Sequence, residues 1–142
     1  VVAKATQASA IQIGAPVSLP KAVKALIQTR GVVAQASEQQ LADASARADR
    51  SGLFTCPHTG VALACLEQLV AAKTIEAGAR VVVVSTAHGL KFAEFKSGYH
   101  RKTGPVSGAY ANEPIALGSD PEEVVAEIHR VLGKQGQGQR SN

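Results

Sequence analysis

The sequence contains no methionine, not even at position 1, and no tryptophan. A chain that opens Val1-Val2-Ala3-Lys4 shows neither a translational start nor the pattern of a signal or transit segment. We expect a stretch of a longer protein, or a chain that has lost an N-terminal part. Cysteine occurs only at Cys56 and Cys65. Two thiols at that separation make neither a disulfide framework nor a zinc spacing, and they suit a reducing compartment. Aromatic residues are 4% and charged residues 18%, with a net charge of +4. That balance is an ordinary surface rather than the clustered footprint of a nucleic-acid binder. The densest basic stretch, Lys91, Lys96, His100, Arg101 and Lys102, interleaves with Phe92, Phe95 and Tyr99 but carries no RNP, KH or helix-turn-helix pattern. No apolar run approaches the ~18 residues that cross a bilayer. Walker A, GxGxxG and GxSxG motifs are absent.

What is present is apolar material. Of 142 residues, 45% are hydrophobic, enough for a core in one domain or part of one, and too many for wholesale disorder. Residues 6 to 17 end in Gly and Pro and read as loop or short strand. Ser18 can cap a helix with Pro20 in its first turn, a buried face of Ala22, Val23, Leu26 and Ile27, and Gly31 as its stop. Val32 to Ala36 reads as a short strand. Ser37 and Gln40 form a capping box. The helix they open runs to about Arg50, with Leu41, Ala44 and Ala48 inward and Glu38, Asp43, Arg47 and Asp49 towards water.

Leu53-Phe54-Thr55 is a brief extended piece leading into Cys56-Pro57-His58-Thr59-Gly60. Val61 to Ala72 is apolar nearly all round, the mark of a buried helix. Val81 to Ser85 is a β-branched run, the mark of a strand buried on both faces in a parallel sheet. Residues 98 to 119 have no period and read as loop. Asp120 caps a last helix, with Pro121 at its first position, Glu122 and Glu123 in its first turn, and a core stripe of Val124, Ile128, Val131 and Leu132. Residues 133 to 142 read as a disordered tail to a domain over 1 to 132. Four or five helices with two clear strands do not make a sheet, which usually has ~4–6 strands. The chain therefore reads as α/β, the C-terminal portion of a domain with an incomplete sheet flanked by helices.

Chemistry concentrates in two places. Ser85-Thr86-Ala87-His88-Gly89 follows the valine run, and in open α/β sheets ligands bind at the carboxyl ends of strands. Either hydroxyl can face a ligand, or Thr86 can cap the following helix. Cys56-Pro57-His58-Thr59-Gly60 precedes the apolar helix, whose N-terminus offers free N–H groups to an anion. Thr59 can cap that helix or bind a ligand, and His58 is an acid–base candidate or a structural histidine. Cys56, His58, Cys65 and His88 lack the paired spacing of zinc ligands. Cys65 reads as a small core hydrophobe, and Lys91 as a surface lysine with nothing to desolvate it.

Together, Ala8 to Gly14, Gly52 to Leu63 and Val82 to Phe92 resemble the C-terminal part of threonine synthases, closest to the plant and algal type. The resemblance implies a pyridoxal-phosphate enzyme of the tryptophan-synthase-β fold, fold type II. Such enzymes convert O-phospho-L-homoserine and water to L-threonine and phosphate. The cofactor serves as electron sink while Cα and Cβ lose protons, phosphate leaves from Cγ and water adds at Cβ. By motif, Thr86 hydrogen-bonds the cofactor's pyridine nitrogen, with Ser85 the weaker choice. Pro57, His58, Thr59 and His88 line the crevice, and Ala10, Gln12 and Ile13 line the substrate side. The family's Schiff-base lysine motif Ser-Phe-Lys-Asp and its Gly- and Asn-rich phosphate loop are absent from these residues. The segment alone is therefore expected to be inactive, needing the remainder of its own chain. The resemblance also implies a homodimer, and the plastid stroma for a plant-type protein or the cytoplasm otherwise, with neither nucleic acid nor membrane as a partner. A regulatory or scaffold module derived from such an enzyme, or part of another type II enzyme such as a threonine dehydratase, are the other readings.

Overall fold

The strongest local signal in the sequence builds what it predicts. In the structure, a computed structural model describing residues 2–138, Ser37 Oγ accepts the Gln40 N–H at 3.2 Å. Gln40 Oε1 accepts the Ser37 N–H at 2.9 Å, closing the box. Such a cap stabilises a helix start by about 1 kcal/mol. The helix it opens spans Glu38–Arg50 and is α2, after α1 at Leu19–Thr29. Three more follow among the described residues: α3 at Pro57–Ala71, α4 at Ala93–His100 and α5 at Pro121–Gly138. Short 3₁₀ turns lie at Ser9–Ile11 and Gly89–Phe92.

The core forms where α2 and α3 pack together. A Cβ at Gly60 would sit 2.5 Å from the Leu41 carbonyl oxygen, so only glycine lets the two backbones approach this closely. Leu41, Ala42 and Ala46 meet Tyr99 of α4, with Val61, Phe95 and Val106 packed around them. Tyr99 is also held by polar contacts. Its hydroxyl donates to Asp43 at 2.6 Å and accepts the Tyr110 N–H at 3.0 Å. Burial first, and then the bond to Asp43, push the phenol up to about 12, so it remains a donor at ordinary pH.

The polar face of α2 corrects the sequence reading. Asp43 and Asp49 do not face water. Asp49 accepts from Lys96 at 2.7 Å, in a pair whose side chains are 11% and 6% exposed. A tyrosine and a lysine some fifty residues downstream fold back over the helix, and nothing within α2 announces them.

The predicted sheet is likewise not formed in this structure. Among the described residues there is no strand; a single antiparallel bridge joins Thr55 to His88. Residues 31–37 and 79–86 are assigned to no helix, strand or turn. Val82 and Val84 are 91% and 72% exposed. A strand exists only with a hydrogen-bonded neighbour. The described residues offer the valine run none, so its β propensity goes unused.

The same lack of partners leaves helix faces bare. The stripe on α1 is uncovered, with Val23 and Ile27 both exposed, rather than buried as its spacing predicts. On α5, Ile128 and Leu132 are exposed as well. Ala64 of α3 is buried, but most of that apolar helix is only half-covered. The helix boundaries follow the sequence only in part. Ser18 precedes α1 but makes no side-chain cap bond, and Arg30 rather than Gly31 takes the left-handed turn at its end, with a φ of 50°. Asp120 Oδ1 accepts the Glu122 N–H at 3.0 Å at the start of α5. The α5 helix runs on past Gly133, where the sequence predicts a tail, and residues 139–142 lie outside the described ones. Among the described residues no helix is long and apolar enough to cross a membrane.

Candidate functional site

Proline at the first position and a cysteine before it set the geometry of the site. Cys56 is the N-cap of α3, an uncommon residue for the task, and its Sγ accepts the Thr59 N–H at 3.4 Å. The helix thus begins at Pro57, four residues earlier than its apolar pattern indicates. That places Pro57, His58 and Thr59 in its first turn. Thr59 is not the cap but sits buried behind it. Its Oγ1 lies 3.2 Å from Cys56 Sγ and 3.2 Å from Ser85 Oγ. Cys56 Sγ in turn stands 3.7 Å from Thr86 Oγ1. Three hydroxyls and a thiol therefore meet at one helix N-terminus, brought there from two segments about thirty residues apart.

The electrostatics of Cys56 follow from this arrangement. Burial alone pushes its thiol up. The hydroxyl and N–H of Thr59, with His58 and Thr86, outweigh that and hold it down to about 6. Cys65, further along α3, has only burial acting on it and is shifted up.

His58 also reaches the N-terminal segment. Its Nε2 accepts the Ala10 N–H at 2.9 Å, so its ring proton belongs on Nδ1. The ring also meets Phe92 edge-on, with centroids 5.2 Å apart. Through that bond the 3₁₀ turn at Ser9–Ile11 docks beside the hydroxyl cluster. Ala8, at its base, is fully buried, and Gln7 ties the segment to Glu38 through two bonds of 2.9 and 3.0 Å. Gln12 and Ile13 stand exposed on this segment; the Gln12 backbone N–H donates to the Ser9 carbonyl at 3.1 Å, while its side-chain amide makes no hydrogen bond among the described residues.

His88 caps the Gly89–Phe92 turn, its Nδ1 accepting the Leu90 N–H at 3.3 Å, so the cap is His88 and not Thr86. Its ring stacks obliquely on Phe54 at 5.6 Å. Between these segments opens a cavity of about 410 Å³ lined by Gly52, Leu53, Phe54, Thr55, Ser85, Ala87 and His88. That size suits a small molecule. Ser85 and Thr86 are exposed, so their hydroxyls can still reach a ligand. Among the described residues no three His, Cys, Asp or Glu side chains are grouped as metal ligands.

No family model matches the chain. Individual proteins do. Over 116 residues, 81% of the chain, it is 52% identical to "Threonine synthase 2, chloroplastic" of Arabidopsis thaliana, covering 22% of that protein. It is 33% identical over 87 residues to threonine synthase of Methanocaldococcus jannaschii, covering 22% of it. It is 34% identical over 87 residues to threonine synthase of Halalkalibacterium halodurans, covering 25% of it. The chain is homologous to threonine synthases. It spans a quarter or less of the length of the curated relatives it matches.

Two groups at this cluster have a role that the sequence reading does not give them. Cys56 enters the sequence reading only as a metal-ligand candidate, since cysteine rarely caps helices. The Cys-Pro-x-Thr order, with proline at a first helical position, was the available signal. Lys96 was read with a surface stretch, yet it is 5% exposed and lies against the Phe54 ring, Nζ 4.9 Å from its centroid.

Proposed function

We propose that the chain is the C-terminal part of a threonine synthase and forms one wall of its pyridoxal-phosphate site, in a fold of type II. In the longer protein the reaction is conversion of O-phospho-L-homoserine and water to L-threonine and phosphate. The observation that carries this reading is the convergence of three sequence segments at one place. Ala10 reaches His58 at 2.9 Å, and Thr59 reaches Ser85 at 3.2 Å. These are the segments on which the family resemblance rests.

The donor set fits the cofactor's ring side. Thr86 Oγ1 has only a long contact to Cys56, which leaves it free to hydrogen-bond a ring nitrogen. A neutral hydroxyl does not force that nitrogen to be protonated, as a carboxylate would. When bound, the cofactor supplies the electron sink beside Cα and Cβ. The residues here orient it: Thr86 at the nitrogen, Ser85 as neighbour, and Pro57, His58, Thr59 and His88 around the crevice. Ala10, Gln12 and Ile13 face the substrate side, where the unbonded Gln12 side-chain amide can meet a polar substrate group. No residue here is assigned as the Schiff-base lysine, so the segment alone is inactive. The longer protein acts as a homodimer, in the plastid stroma if plant-type, since the Arabidopsis relative is named chloroplastic.

The test is Thr86→Ala in the longer protein. Loss of one neutral hydrogen bond lowers kcat about three- to tenfold with bound cofactor retained. An unchanged kcat removes Thr86 from the site. Threonine formation by the 142-residue chain itself would overturn its assignment as one wall of a larger site.

A further inference from the structure

Behind the hydroxyl cluster runs a second polar chain, and it is buried. Lys96 Nζ donates to both Asp49 oxygens at 2.7 Å and to Ser45 Oγ at 2.6 Å. An ammonium has three protons, and this one places all three. Ser45 Oγ lies 3.0 Å from Thr55 Oγ1. Since Ser45 accepts from Lys96, its own proton is free for Thr55. Asp49 Oδ1 also accepts the Thr55 N–H at 3.3 Å. Ser45 and Thr55 are 1% and 4% exposed, so water does not compete for these bonds.

Thr55 is where the two halves of the site cross. It pairs with His88 in the single antiparallel bridge, and the Phe54 carbonyl accepts the Gly89 N–H at 2.9 Å. The crossing is tight. A Cβ at Gly89 would meet Phe54 Cδ1 at 2.8 Å, the Thr55 oxygen at 2.9 Å and Lys96 Cε at 3.0 Å. The Lys96 stem thus lies directly under the crossing. On one side the chain continues from Thr55 into the Cys56 cap; on the other, His88 closes the segment that carries Ser85 and Thr86. Among the described residues no ladder braces these segments, so the bridge, the Thr59–Ser85 and Cys56–Thr86 contacts and the support beneath the crossing fix how they sit.

An apolar pair could join the same elements at no loss of stability, since burying an ion pair costs desolvation. Apolar side chains could not direct hydrogen bonds at Thr55. We propose that Lys96 and Asp49, acting through Ser45 and Thr55, are positioning residues that hold the crossing of residues 54–56 with 88–89 and so set where the Ser85 and Thr86 hydroxyls stand. The bearing on catalysis rests on the proposed cofactor-facing role of Thr86; the support itself does not.

The experiment uses the longer protein that carries this segment. Lys96→Met combined with Asp49→Asn removes both charges at nearly constant size and strands neither. The Thr55 and Gly89 amides then exchange with deuterium at least about tenfold faster, while α2 amides from Leu41 to Ala46 stay within about threefold. With O-phospho-L-homoserine, kcat falls and KM stays within about threefold. Unchanged exchange at Thr55 and Gly89, or equal acceleration across α2, overturns the proposal, as does faster exchange with an unaltered kcat. If the wild-type protein does not turn over this substrate, the threonine synthase reading fails, and the exchange pattern alone decides the support. Should the double variant not fold, Ser45→Ala cuts the link to Thr55 without touching the ion pair, with the same results expected and the same results overturning it.

Discussion

The α2–α3–α4 block and the flanking helices α1 and α5 are written in the same sequence language, yet they end differently. Both carry apolar residues at helical spacing beside polar ones. In the block, Leu41, Ala42, Ala46 and Tyr99 close a core, and Asp43, Asp49 and Lys96 are drawn into it. On α1, Leu19, Val23 and Ile27 line an open apolar groove, and on α5, Ile128 and Leu132 border another with Ile115 and Leu117. Periodicity states which face seeks cover. It does not state whether the cover is in the same stretch of chain. For the block it is, because α2 and α3 are joined by only six residues, 51–56, and Gly60 lets them touch. For α1 and α5 the described residues do not supply it.

Perturbations should therefore fall unequally on the two regions. Lys96→Met alone leaves the Asp49 carboxylate buried without its cation and should cost about 3–5 kcal/mol, read as a lower urea midpoint. Adding Asp49→Asn should restore most of it; failure to do so would make the lysine stem, not the charge, the source of stability. Gly60→Ala comes next. The added methyl would press on the Leu41 carbonyl and push α2 from α3, for about 1–3 kcal/mol, read in the same melt. A neutral Gly60→Ala would mean that the two helices slide freely.

A pH series separates the site from the block. The Cys56 thiol is held at about 6 in the folded chain against 9.0 for a free thiol. A depressed folded pKa stabilises most above the unfolded value and is lost as pH falls through the folded one. The thermal midpoint of the wild type relative to Cys56→Ser should therefore rise between about pH 6 and 9. A flat difference would show that Cys56 stays a thiol. The smallest effect belongs to the flank. Val23→Ser with Ile27→Ser should change the stability of the 142-residue chain by no more than about 0.5 kcal/mol per site, since both side chains are already wet. The same pair should cost more in the longer protein if α1 is covered there.

What the sequence discloses divides along similar lines. The box at Ser37 and Gln40 and the bond of Asp120 to Glu122 depend on neighbours two or three positions away, and both are readable from composition at fixed offsets. The sheet was not realised because Val81 to Val84 encode a preference that needs partners, and the described residues supply none. Three motifs were legible, and the structure brings their residues Ala10, His58, Thr59, Ser85 and Thr86 into one neighbourhood. Gln12 and Ile13 come with the docked turn but touch nothing in the cluster. Asp49 was misread because its cation lies 47 positions downstream, and a lone carboxylate on a helix looks solvated until that lysine folds over it. The Cys56 cap escaped notice because a thiol takes a place that hydroxyls and carboxylates usually fill.

The bare valine run has a consequence of another kind. Val81 to Val84 is β-branched, uncharged and free of proline, and Val82 and Val84 are largely in water. Segments of that composition template the stacking of like chains when their backbone edges are open. Produced as a separate polypeptide, this stretch should associate with itself through residues 81–85 as its concentration rises. A charged residue in place of Val82 should keep it soluble. Any strand that pairs with residues 81–85 in a longer protein would thus occupy an edge that copies of the chain would otherwise share.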